Sequence, residues 1–197
     1  MRIALFHNVR SGGAKRAVYE WTRRLAQNHH IDVYTINSAD HDFCDLRPYV
    51  HQHKTYAFTS RRQFQSPFGR LNQLQRWRDL GTLIRVHKQI ADEIDAGEYQ
   101  VVFANTCIVT FIPILVQYVR IPAIYYLHEP IGVSSRRQLH RPYFGDNRGR
   151  KCVDRYDPLK RLYERRLTSL QQKGIHQADR LLANSTYTRV CMKTAYD

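Results

Sequence analysis

The sequence predicts an α/β domain: an open, mainly parallel sheet with helices on both faces. Three observations carry that expectation. Short apolar runs alternate along the chain with longer stretches of helical period. The runs are near-continuously apolar, as strands covered on both faces are. Polar residues collect at the carboxyl ends of those runs, where open α/β sheets hold their ligands.

The first run, Ile3–Phe6, reads as a buried strand. The stretch "HNVRSGGAKRAVYEW" then leaves it at His7, turns at Gly12 and Gly13, and opens a helix whose apolar residues Ala14, Ala17, Val18, Trp21 and Leu25 share one face. Paired glycines let backbone approach a ligand closely, and a helix start points free N–H groups at an anion. Lys15 and Arg16 would strengthen that field. An ordinary tight turn followed by a solvated basic face accounts for the same residues.

"IDVYTI" from Ile31 is the second strand and "KTYAF" from Lys54 a third. A helical region follows over about Phe68–Ala96, and "YQVVFAN" from Tyr99 is the next strand. Cys107–Val119 contains Pro113 and reads as a buried helix, too short to span a bilayer. "PAIYYLH" from Pro122 is a further strand, followed by a polar, arginine-rich loop at about Gly132–Tyr156. Asp157 as N-cap, Pro158 at the first position and Gly174 past the end mark a helix with the stripe Leu159, Leu162, Tyr163, Leu167 and Leu170. "ADRLLAN" is the last strand, and Ser185 caps a final helix. The topology brings His7–Gly13, Asn105, His128 with Glu129, and Asn184 with Ser185 to one edge of a Rossmann-like sheet. No internal repeat or low-complexity linker interrupts the pattern.

A chain of 197 residues with 43% hydrophobic residues suits one well-cored domain. Thirty-one Lys and Arg against 17 Asp and Glu give a net charge of +14, which favours an anionic partner. Cys44, Cys107, Cys152 and Cys191 form no C-x-x-C pair, so neither a cysteine zinc site nor a redox motif is expected. Reduced thiols and a cytoplasmic location follow. "MRIALFHNVR" turns polar too early for a signal peptide. "SGGAK" is not G-x-G-x-x-G, and "IDVYTI" leads into Asn37 and Ser38 rather than a ribose-binding acid, which argues against a dinucleotide oxidoreductase. The tyrosines are dispersed and no nucleic-acid motif is present, so nucleic acid is not an expected partner. A basic nucleic-acid-binding module or a non-catalytic interaction domain stands as the alternative reading.

Taken in order, "MRIALFHNVRSGGAKRAVYEWTRRLAQNHHIDVYT", "YYLHEP" and "ADRLLANSTYTR" resemble the N-terminal, acceptor-side domain of GT-B glycosyltransferases. The likeness is to the large retaining group that takes sugars from nucleotide-sugar donors, glycosyltransferase family 4 (group 1). It covers essentially the whole chain, residues 1–197, as a single N-terminal domain and one half of a GT-B fold. The resemblance implies that Gly12 and Gly13, with Lys15, lie beside the donor phosphate and transferred sugar. It implies that His128 lines the catalytic cleft, and that Asn184 and Ser185 are the pair preceding the crossing to a second domain. That C-terminal, nucleotide-sugar-binding domain is absent from these residues, so the half is expected to catalyse little alone. In a retaining transfer the leaving phosphate can take the acceptor proton, so His128 need not be a base. No metal and no cofactor beyond the nucleotide sugar are expected.

Two basic segments suggest what the acceptor is. Arg136–Arg166 holds eleven cationic side chains against four acids. Because that loop follows His128, Arg136, Arg137 and Arg141 are the candidates to meet an anionic acceptor, a saccharide or lipid-linked phosphate sugar. The stretch "SRRQFQSPFGRLNQLQRWRDLGTLIRVHKQI" mixes Phe64, Phe68, Leu71, Leu74 and Trp77 with six arginines. Such a helix can lie in a headgroup interface, peripheral to the inner membrane face, or be a core helix with a solvated basic face.

Overall fold

Apolar strands that must bury both faces need a layer on each side, and the chain supplies them by alternating strands with helices. The computed structural model describes residues 1–65, 68–129 and 157–196. Its strands are β1 (Arg2–Asn8), β2 (His30–Ile36), β3 (Gln52–Tyr56), β4 (Val101–Cys107), β5 (Ala123–Leu127) and β6 (Arg180–Ala183). Its helices are α1 (Gly13–Leu25), α2 (Asn72–Asp95), α3 (Pro158–Gln177) and α4 (Thr186–Tyr196). The strands form one sheet in the order β3-β2-β1-β4-β5-β6, and every pairing is parallel. The order reverses between β1 and β4, and that switch point is where doubly wound sheets open a crevice.

Alternation along the strands sorts the core. Ile3 and Leu5 of β1, with Ile31, Val33 and Phe103, gather around Val18 of α1. Ala4 and Phe6, with Tyr34, Ile36, Val102 and Ala104, gather around Leu83, Ile90 and Ile94 of α2. Each of these side chains is buried, which is why β1 carries an unbroken apolar run, Ile3–Phe6, while β2 admits buried polar groups at Asp32 and Thr35.

Five expectations shift. Cys107–Val119 is not a helix: β4 takes Cys107, and only a single 3₁₀ turn, Ile114–Gln117, follows extended Pro113. A proline lacks the N–H that a longer helix would need there. Gly174 does not end α3, which runs on to Gln177. Its missing side chain lets the helix press on Ile112, whose Cγ2 would stand 2.7 Å from an added Cβ. The buried residues of α3 are accordingly Gln171, Gly174 and Ile175, and Leu162 is 53% exposed. Trp21 is likewise largely on the surface and meets the edge of Tyr126 at 5.8 Å. Finally, β6 is an edge strand with Leu181 and Leu182 partly open to solvent, so not all six strands are covered on both faces. Asp157 does cap α3, accepting from the N–H groups of Leu159 and Lys160 at 3.0 and 3.2 Å. Among the described residues, no helix is long and apolar enough to cross a membrane.

Candidate active site

At the carboxyl end of β1 the chain must turn sharply to start α1. Gly12 makes the turn at φ 136°, ψ −169°, backbone that residues with a side chain scarcely reach. Its carbonyl accepts from Arg16 N at 3.0 Å, so the earlier N–H groups of the first turn lack helical acceptors. Neither Gly12 nor Gly13 has any atom within 4 Å of where a Cβ would stand, and both are exposed. The turn is therefore open to solvent on the side where side chains would stand.

The two cations that follow separate. Arg16 is exposed, whereas Lys15 is fully buried, with Nζ 3.4 Å from Nε2 of equally buried His7. Burial pulls the lysine below its usual range, partly offset by the carboxylates of Asp40 and Asp45. Burial, then the neighbouring Lys15, holds His7 well below the ordinary imidazole range. The ring is thus neutral and takes the ammonium hydrogen bond on Nε2. Lys15 is consequently no solvated surface cation; it lies buried beside His7.

At the end of β1, Asn8 ties that strand to the end of β4 and to the turn after β2. Its amide nitrogen donates to Cys107 Sγ at 3.3 Å, and its oxygen accepts from Ser38 Oγ at 2.9 Å. The pairing of Asn8 with Cys107 follows a register shift after Phe6. That irregularity lets Asn105 reach back: its Nδ2 donates to the Phe6 carbonyl at 3.4 Å.

The same amide then orients His128, which follows β5. Nε2 of His128 lies 3.2 Å from Asn105 Oδ1. Because the amide oxygen only accepts, Nε2 carries the proton and Nδ1 keeps the lone pair. Burial presses this imidazole down to about 4, so it is neutral near pH 7. Tyr126 braces it edge to face at 4.8 Å. The His128 carbonyl accepts from Asn184 Nδ2 at 2.6 Å, and Asn184 Oδ1 accepts from Thr188 Oγ1 at 2.7 Å. Ser185 Oγ accepts from Thr188 N at 3.1 Å and so caps α4.

The predicted positions thus fall into two linked groups. Gly12, Gly13 and Lys15 surround the β1 turn with His7, while Asn184 bonds His128 directly and Ser185 joins them through Thr188 of α4. Asn105 connects them through the Phe6 carbonyl. Arg136, Arg137 and Arg141 lie outside the described residues. Sequence reasoning gave no role to His41 and His53, whose rings meet at 5.5 Å and whose imidazoles are lowered by burial and by the charge of Lys15. The signal for His53 is register: it pairs with Val33, on the face that α1 covers. Among the described residues this edge gathers no set of three metal-ligating side chains.

With that geometry in place, comparison with known proteins is informative. The family model described as Glycosyltransferase Family 4 matches residues 11–197. No curated protein matches the sequence. Solved structures that resemble it include Arabidopsis thaliana UGT89C1 complexed with UDP, at 15% identity and a TM-score of 0.51. That alignment covers 99% of this chain and 46% of the other, so the chain spans about half the length of the structure it matches. The likeness shows a shared fold, one domain of the GT-B architecture.

Proposed function

The chain belongs to glycosyltransferase family 4, and on that premise we propose that it is the acceptor-side half of a retaining transferase using nucleotide-sugar donors. In the reaction, the bond between the sugar's anomeric carbon and the donor phosphate breaks, and a bond to an acceptor hydroxyl forms on the same face. The departing phosphate takes the hydroxyl proton. Such a step is governed by positioning and by charge stabilisation rather than by a strong base.

The residues divide that work. The N–H groups at Gly12 and Gly13 meet the donor phosphate, and Lys15 raises the local potential from below. His128 accepts a sugar hydroxyl on Nδ1 and sets that lone pair against the developing positive charge of the sugar. Asn105, Asn184 and Ser185 act as positioning residues. Arg136, Arg137 and Arg141 are assigned to an anionic acceptor, a saccharide phosphate or lipid-linked sugar. A second domain supplies the nucleotide pocket, and no metal takes part in the transfer. Exposed Phe64, Leu71 and Leu74 beside Arg62, Arg76 and Arg78 suit a headgroup surface on the cytoplasmic side.

One observation supports this reading most directly: a neutral imidazole, its tautomer set by Asn105, at the same sheet edge as the glycine turn. The test is a titration of this chain with sugar nucleotides and anionic saccharides, following the His128 ring resonances. Movement with either ligand class is the expected result. Movement with RNA or DNA alone, steeply weakened by salt, would overturn the reading in favour of nucleic-acid binding.

A further inference from the structure

The opposite edge of the sheet, where the strands begin, holds a carboxylate that is only half satisfied. Asp32 on β2 has a fully buried side chain. Its Oδ2 accepts from Arg2 Nη2 at 3.1 Å, Arg2 Nε at 3.3 Å and Tyr99 Oη at 2.7 Å. Its Oδ1 is buried and has no hydrogen-bond partner. Leaving a charged oxygen desolvated in this way is costly, so a missing partner is indicated. Two imidazoles face that atom: His51 Nδ1 at 3.4 Å and His30 Nε2 at 3.7 Å.

We propose that His30, Asp32 and His51 form a binding site for a divalent transition-metal ion, zinc by preference, with solvent completing the coordination. The three ligand atoms lie within 4.8 Å of one another. Zinc bonds of about 2.0–2.1 Å in a tetrahedron set ligand atoms about 3.4 Å apart, close to the 3.4 and 3.7 Å that separate the two imidazoles from Asp32 Oδ1. The widest separation in the set, within 4.8 Å, has to close by roughly an ångström, which the exposed histidine side chains allow. Two imidazole nitrogens and one carboxylate are a donor set for zinc and its neighbours, whereas calcium and magnesium favour oxygen. The carboxylate is already aimed by Arg2 and Tyr99, and Tyr99 is held in turn by Tyr34 at 2.9 Å, the kind of outer support that ligating carboxylates have. The two imidazole rings already stand together, with centroids 4.3 Å apart.

The ligands come from the start of β2 and from the residue before β3. The ion therefore fastens the end of the β2–β3 connection to the sheet, at the edge away from His128, and its role is structural. It is independent of the transfer reaction. The probe is zinc chloride, added to this chain freed of metal and followed by calorimetry and thermal unfolding. One equivalent binds, the melting temperature rises, and cobalt in its place gives the visible band of a tetrahedral site. His30→Ala and His51→Ala each weaken binding at least about tenfold, and the double variant loses both the binding and the thermal shift. These histidines are 41% and 58% exposed, so the variants are expected to fold, which circular dichroism checks. Absence of binding by the native chain, or undiminished binding by the folded double variant, overturns the proposal.

Discussion

Asn105 sets the tautomer of His128: the amide donates to the Phe6 carbonyl, so only its oxygen is left for the imidazole 3.2 Å away. Replacing Asn105 by Asp puts a negative charge at that distance and stabilises the imidazolium. The His128 imidazole, at about 4 in the native chain, should then rise towards or above its ordinary value. Ring-proton NMR across pH 3–8 reads this directly on the isolated chain. An unmoved titration would show that Asn105 does not face the ring in solution.

Gly12 and Gly13 differ in a testable way. Alanine at Gly12 is opposed by a φ of 136°, costing about 1–3 kcal/mol in urea unfolding. Alanine at Gly13 meets no atom within 4 Å and should alter stability by less than about 1 kcal/mol. Its methyl group nevertheless enters the space that the proposed function gives to the donor phosphate. Sugar-nucleotide binding should therefore weaken in a variant whose stability is native. Equal binding by Gly13→Ala and the native chain would remove the turn from the donor site.

Lys15 is a buried cation whose hydrogen-bond partner is a neutral ring. Lys15→Met keeps the length and removes the charge, so unfolding free energy should stay constant or rise by about 1–3 kcal/mol. Donor affinity should fall at the same time. A strongly destabilised variant would show that the ammonium holds the fold together, not the ligand.

Acid should weaken the fold through its buried histidines. Burial lowers His7, and takes His87 and His128 to about 3 and about 4, so these rings stay neutral in the fold while the unfolded chain protonates them. A lowered imidazole contributes stability that is complete above the unfolded value of about 6.5 and is lost as pH falls towards the folded value. Each such group adds a slope of up to about 1.4 kcal/mol per pH unit in that window. His87→Gln removes one of them, and denaturant curves between pH 4 and 6 should flatten accordingly. An unchanged slope would mean that His87 is already protonated in the fold.

The apolar side chains before and at the start of α2 give a prediction about membranes. Phe64, Leu71 and Leu74 are 44%, 40% and 43% exposed. Sedimentation with anionic vesicles should retain the native chain at low salt. Replacing all three by Ser should lower retention at least about tenfold, since each loses part of the roughly 1.5–3 kcal/mol of a buried large side chain. Equal retention would assign the attraction to charge alone.

The strand pattern was readable because β1 and β4 carry their apolar residues in short unbroken runs, as strands of a parallel sheet covered on both faces do. The helix start at Asp157 was readable because its cap chemistry is local. What depends on three-dimensional closure was not. Gly174 looks like a stop signal, and only its contact with Ile112 shows it to be a point of close approach. Lys15 sits on a helix start with Arg16 and resembles it in sequence, yet helical rotation sends one inward and the other out. At the site, His128 and the glycines stand out by their position after a strand. Asn105 becomes decisive only because a register shift in the neighbouring strand turns its amide between two partners. The trio at the far edge is spread over residues 30–51, a spacing that sequence motifs for metal ligands do not cover.

Asn184 grips the backbone of His128 with one end of its amide and the hydroxyl of Thr188, in the first turns of α4, with the other. A tug or twist applied to that last helix is thereby passed, through two hydrogen bonds, to the backbone that carries the imidazole. The fold contains a lever whose handle is α4 and whose tip is the main chain at His128.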